Sequence, residues 1–238
     1  MESPELLIGG IFFLAAFTQG VSGFGAALVS MALLPGVIGI RQSIVLVALV
    51  AFVVDLFMLV RYRSSMRIAQ VLPLILMSIV GVPTGIFLLR HTGEGDALSA
   101  LGVVLIGYAL YALSGFRLPG LEGKAWALGT GFIGGVLGGA YNTPGPPMIM
   151  YADCRRWPPD VFKGNLQAFF VQNSVIVLIG HGLSGNLNAA TFAHFLSGLP
   201  WLAGGLLAGL AMDRWISPEI FRKVVLVLLV IMGLRLVF

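Results

Sequence analysis

The chain is poor in the residues that build most catalytic and metal centres. It has one cysteine, Cys154, and three histidines far apart, His91, His181 and His194. One cysteine excludes an intrachain disulfide, and the histidine spacing offers no metal-ligand pattern, so neither a metal nor another cofactor is expected. Nucleotide-driven and hydrolytic motifs are missing as well. There is no GxxxxGK[ST] loop, no HExxH pair and no GxSxG frame around Ser22 or Ser184, which leaves no ATP-binding site and no nucleophile with its base. The reading is therefore not an enzyme. Charge is also scarce, at 10% of residues. The net +4 comes from short basic clusters scattered between apolar runs, a pattern that reports topology and not nucleic-acid binding.

What the chain does have is apolar length. Hydrophobic residues make up 58% and the mean hydropathy is +0.98, outside the range of soluble domains. This composition predicts an all-α polytopic membrane protein with the lipid bilayer as its main partner. The acidic start, Glu2 and Glu5, is unlike the basic leader of a signal peptide, so the first apolar stretch is expected to stay in the fold.

Two apolar stretches cannot be plain helices. Residues 126–152 hold Gly131, Gly134, Gly135, Gly138 and Gly139, then Pro144, Pro146 and Pro147, and the prolines remove three amide donors where a helix would need them. Residues 6–40 hold Gly20, Gly23 and Gly25 in a similar frame. Gly20, Gly23 and Arg41 fall on Gly135, Gly138 and Arg156 at one offset, and Gly81, Gly85 and Arg90 on Gly205, Gly209 and Arg214 at a slightly larger one. The chain thus reads as a first repeat over 1–114, a linker over 115–124 and a second repeat over 125–238. Each repeat has one broken segment and three spanning helices, at 43–60, 68–89 and 97–114, then at 164–180, 190–212 and 220–238. The small-xxx-small spacing of Gly81 with Gly85 and of Gly205 with Gly209 predicts close helix packing.

Basic residues choose between topologies. If all eight segments cross, the 14 basic residues split six against eight. If both broken segments are re-entrant hairpins, eleven share one side and only Arg41, Arg90 and Arg235 lie on the other, as the positive-inside rule requires. The expectation is an inverted repeat with both termini outside and two hairpin tips meeting near the midplane, an arrangement that secondary transporters use to build a site.

Candidate site residues follow from the breaks. Gln19, Ser22, Gly23 and Gly25 form the first tip, and Tyr141, Asn142, Thr143 and Gly145 the second. The second arms are expected to start near Ser22 or Gly23 and at Pro144, with Thr143 as N-cap. Two helix N-termini facing each other would hold a small anion by amide donors and dipole, and the alternative is that the tips are tight packing kinks. Asn165, Gln172 and Asn173 are placed on one helical face, either lining a path or bonding a neighbouring helix. Asp55 lies inside an apolar span and is the proton-coupling candidate, with an ion pair to Arg61 or Arg63 as the alternative. Arg41, Arg156 and Lys163 are candidates for drawing anions to the path or for anchoring at the interface.

The glycine-broken segment early in each half, the prolines after the second and Lys163-Gly164-Asn165 opening the next helix together resemble the sulfite exporter TauE/SafE family of membrane permeases. The resemblance covers nearly the whole chain. It implies secondary transport of a small anion, such as sulfite, sulfoacetate or a related sulfur-containing organic acid, outward across the bacterial inner membrane by alternating access. A passive anion channel using the same tips is the alternative, and a homodimer is the one protein partner left open. Topology is directly testable. With Cys154 replaced by alanine, a cysteine placed at Ser64 is expected to react with impermeant thiol reagents only from the cytoplasm, and one at Thr92 only from the opposite side.

Overall fold

The computed structural model describes residues 4–116, 123–212, 215 and 217–238. Most of the expected linker, and Arg117 and Arg214 of the charge count, lie outside the described residues. All regular structure among the described residues is helical. The first broken stretch forms α1 (Pro4–Ser22), α2 (Ala26–Leu33) and the single turn α3 (Pro35–Ile38). It is followed by α4 (Ile40–Tyr62), a 3-10 turn (Arg63–Ser65), α5 (Ile68–Arg90) and α6 (Glu94–Ser114). The second half repeats the order with α7 (Lys124–Tyr141), α8 (Gly145–Cys154), α9 (Pro159–Leu183), α10 (Ala189–Met212) and α11 (Pro218–Val237). Among the described residues six helices are long and apolar enough to cross a membrane, α1, α4, α5, α6, α9 and α10. Exposed leucine, isoleucine, valine and phenylalanine side chains cover their outer faces, as lipid-facing helices require. This is a multi-pass membrane protein.

Both breaks fall where glycine and proline were expected to put them, but the second arms start later. α2 begins at Ala26, three or four residues past the expected start, because Gly23 and Gly25 take φ of 81° and 108° and the chain turns across all of 23–25. α8 begins at Gly145 with Pro144 as its N-cap residue and no side-chain cap, so the Thr143 hydroxyl does not cap it. α9 opens at Pro159, a turn earlier than the expected 164, because Pro158 and Pro159 supply a helix start that needs no first amide.

Glycine contacts hold the bundle together. A Cβ added at Gly205 or Gly209 would land on the carbonyls of Phe13 or Phe17, and one added at Gly81 or Gly85 on those of Phe132 or Val136. The α1–α10 contact and the α5–α7 contact are thus built alike, each between helices running the same way. The contact of Phe132 with Gly81 is like that of Phe13 with Gly205, a match one helical turn away from the expected register that pairs Gly20 with Gly135. α4 and α9 lie side by side in opposite directions, with Gly164 against Tyr62 and Val177 packed with Ala48. α6 and α11 also oppose, through Gly102 against Val237 and Gly233 against Ile106.

Gly85→Ala is expected to lower the unfolding temperature in detergent, since overpacking a tight contact costs about 1–3 kcal/mol. Gly107 has open space around its Cβ position, so Gly107→Ala is expected to leave it unchanged or raise it by helix propensity.

Candidate functional site

The first break is tied to three helices by one side chain. Gln19, 2% exposed, sits in the last turn of α1. Its Oε1 accepts from the Ala26 amide at 3.0 Å, so Gln19 caps α2, and its Nε2 donates to Asp55 Oδ1 on α4 at 2.5 Å. Gln167 on α9 donates to the Gly23 carbonyl at 2.7 Å, and its Oε1 stands 3.4 Å from Gln19 Nε2. Asp55 is 5% exposed and its partner is Gln19, not Arg61 or Arg63. Ser22 bonds locally, its hydroxyl having the Thr18 and Phe24 carbonyls at 2.7 and 2.6 Å.

At the second break Asn142 takes the left-handed conformation, φ 53°, which asparagine tolerates better than most residues. Its Nδ2 donates to the Ile44 carbonyl on α4 at 2.5 Å. The first turn of α8 is Gly145-Pro146-Pro147, and the two prolines carry no N–H. Gly145 is left as the only backbone donor of that turn. α2 is different, because its Ala27 and Leu28 amides lie in the first turn and have no intrahelical acceptor.

Between the N-termini of α2 and α8 lies a cavity of about 30 Å³. Gln19, Gly25, Asp55, Asn142, Thr143 and Asn173 are among the residues that line it, with Gly145, Phe170 and Ser174 closing the sides. Two polar atoms there have no partner, Thr143 Oγ1 and Asn173 Nδ2, on side chains 0% and 2% exposed. Asn173 also presses on Gly138, where a Cβ would collide with its amide.

The remaining candidates lie elsewhere. Asn165 accepts from the Arg67 amide at 2.8 Å and donates to Gln70 at 3.2 Å, fastening the start of α5. Gln172 accepts from the Ser78 hydroxyl of α5 at 2.7 Å. These two share a face as their seven-residue spacing predicts, but that face meets α5, while Asn173 lines the cavity with its amide packed on Gly138. Ser22 lines a separate apolar pocket with Tyr108 and Phe221, and Tyr141 is buried in the core. Lys163 lays its stem against Gly23 and its Nζ is 5.3 Å from the Tyr62 ring centre. Arg41 opens on a second cavity, and Arg156 is exposed beyond α8 with φ 51°. Gln167 and Ser174 stand out in sequence as part of an unusually polar span but were not placed at the site, and Phe170 was not singled out. Their i, i+3, i+7 spacing on α9 marks one helical face and was the available signal.

A helical membrane bundle with polar side chains gathered where two helices break inside it has the layout of a membrane transporter. The family model described as sulfite exporter TauE/SafE matches residues 8–236, and the chain belongs to that family. Comparison with curated proteins and with solved structures finds no match. The family is one of transporters, and its description supports a membrane exporter of sulfite or a related anion.

Gln19→Leu removes the partner of Asp55 and the cap of Ala26 together. Each buried group left without a partner costs about 1–3 kcal/mol, so a clear drop in unfolding temperature in detergent is expected. Ser22→Ala, which removes only local bonds, is expected to give a much smaller one.

Proposed function

We propose that the chain is a secondary transporter that moves a compact sulfur oxyanion such as sulfite across the bacterial inner membrane by alternating access around the cavity between the two breaks. The observation that carries this reading is a pair of buried side chains that line one cavity and each hold a polar atom without a partner, Thr143 with its Oγ1 and Asn173 with its Nδ2. A buried polar group without a partner costs about 1–3 kcal/mol. A ligand rich in acceptors recovers that cost at both groups, and the Ala27 and Leu28 amides, with the positive end of the α2 dipole, add to it. A cavity of about 30 Å³ favours a compact ion over the longer sulfoacetate.

Asp55 gives the coupling. Its carboxylate lines the same cavity, and two negative charges close together in a low dielectric repel strongly. The oxyanion therefore enters with Asp55 protonated, so that anion and proton move together. The net direction follows the sum of their gradients, outward being the direction that the family description suggests. The like-built α1–α10 and α5–α7 contacts and the opposed α4–α9 and α6–α11 pairs support two inverted repeats, 1–114 and 125–238. In that arrangement α1 and α4 run the same way, and the chain must return between them, which supports re-entrant broken segments with both termini outside. Movement of one repeat against the other then exposes the cavity to each side in turn.

Radiolabelled sulfite uptake into proteoliposomes tests this. Wild type is expected to accumulate sulfite under an imposed pH gradient, and Thr143→Val or Asn173→Leu to reduce the rate roughly tenfold or more, the worth of one lost hydrogen bond to a charged ligand. Asp55→Asn is expected to abolish the response to the pH gradient. A wild-type flux indifferent to that gradient and surviving Asp55→Asn would favour a passive channel, and unchanged flux in both cavity variants would refute the site.

A further inference from the structure

A second cavity, of about 240 Å³, opens where α4 begins and α5 ends. Its mouth carries the exposed side chains of Arg41, Arg90, Glu94 and Asn188, and its inner wall includes the buried Ile44 and Gly139. Ile44 is the residue whose carbonyl holds Asn142, and Gly139 is in the last turn of α7 before the break. This vestibule therefore backs onto the second break.

His181, near the end of α9, lines the vestibule and is 5% exposed. Asn186 Nδ2 lies 3.1 Å from its Nδ1, and since an amide nitrogen only donates, the tautomer assigned to the ring carries its proton on Nε2. That Nε2 is buried and has no partner. Arg90 is anchored by donating to the Ser184 hydroxyl oxygen, while the Ser184 hydroxyl itself donates to the Gly180 carbonyl at 2.5 Å. One arm of the guanidinium is thereby fixed at the cavity that Arg90 lines. Arg41 makes no hydrogen bond or ion pair among the described residues. Glu94 stands over Gly39 at the rim and is the one acid of the lining, so two guanidinium groups face one carboxylate.

We propose that this vestibule is a second oxyanion subsite, in which His181 Nε2–H, Arg90 and Arg41 bind the anion on the face of the membrane where α4 begins. The donors come from three helices and converge on one cavity, and a small oxyanion has acceptors enough for all of them. The phosphate of an anionic lipid has the same chemistry. The transported anion is the assigned ligand because the inner wall of the vestibule, at Ile44 and Gly139, adjoins the second break. That identity rests on the transport reading above, whereas the subsite itself does not.

The chain has only three histidines, so imidazole NMR of the full-length, histidine-labelled protein reads the subsite directly. On titration with sulfite the His181 signal is expected to shift saturably. His91, stacked on Phe87, and His194 line no part of the vestibule and are expected to stay still. Arg41→Gln is expected to raise the half-saturating concentration roughly tenfold, as the loss of a charged contact predicts. Thr143→Val, at the central cavity and outside the vestibule lining, is expected to leave the His181 shift in place. The subsite is overturned if His181 does not respond to sulfite, if its response vanishes in Thr143→Val, or if it responds only to phosphatidylglycerol vesicles. A His181 response in a protein that moves no sulfite in proteoliposomes keeps the subsite and removes the transport reading.

Discussion

A helix that stops inside hydrocarbon must find partners for its released backbone groups, because no water is there to take them. This chain stops twice, and the residues around the breaks answer that demand one by one. Gln19 takes the Ala26 amide, Gln167 gives its amide to the Gly23 carbonyl, and Asn142 closes α7 while reaching to Ile44. Each of these bonds crosses to another helix or arm, so the breaks exist only because α4 and α9 stand beside them. The glycine contacts bring those helices close enough, with Gly164 seated on the Tyr62 carbonyl and Gly138 under Asn173.

The two breaks are built differently, and the difference decides where donors remain. α2 enters the cavity with free first-turn amides and a glutamine cap. α8 enters with two prolines, which fix the turn but remove the donors that a helix start normally offers. The shortage there is met by side chains, the Thr143 hydroxyl and the Asn173 amide, both buried and without a protein partner. Buried polar atoms in native proteins rarely stay unpaired without a reason, and a ligand that comes and goes is one.

Charge is arranged by depth. The carboxylate, Asp55, is inside, neutralised by no base and held by an amide donor. The guanidinium groups of Arg41 and Arg90 stand at the mouth of the vestibule, and Lys163 stretches over the first break with its amine beside Tyr62. Cations at the approaches raise the local concentration of anions without holding them so tightly that they cannot leave. The one acid at the central cavity thus sits apart from the cations, which stand at the approaches.

Sequence alone determined the helical membrane class, the two breaks and their dependence on glycine and proline, because backbone geometry and apolar length are local properties. It also placed Gln19, Asp55, Asn142, Thr143 and Asn173 among the residues to watch, since a polar side chain in an apolar run is conspicuous wherever it points. Only the tertiary structure decided the direction in which each one points. Asn165 and Gln172 turned out to serve α5, Ser22 its own turn, and Gln167 the first break, because a one-residue step around a helix changes the neighbour and the neighbour is set by packing. The glycine contacts match one turn away from the register expected from sequence for the same reason: glycines recur every few residues in both halves, so matching them by identity cannot tell one turn from the next, while the carbonyl that each glycine touches can. His181 shows the limit most plainly. In sequence it is a lone histidine near a helix end, and only the fold brings it to one cavity with two arginines from other helices.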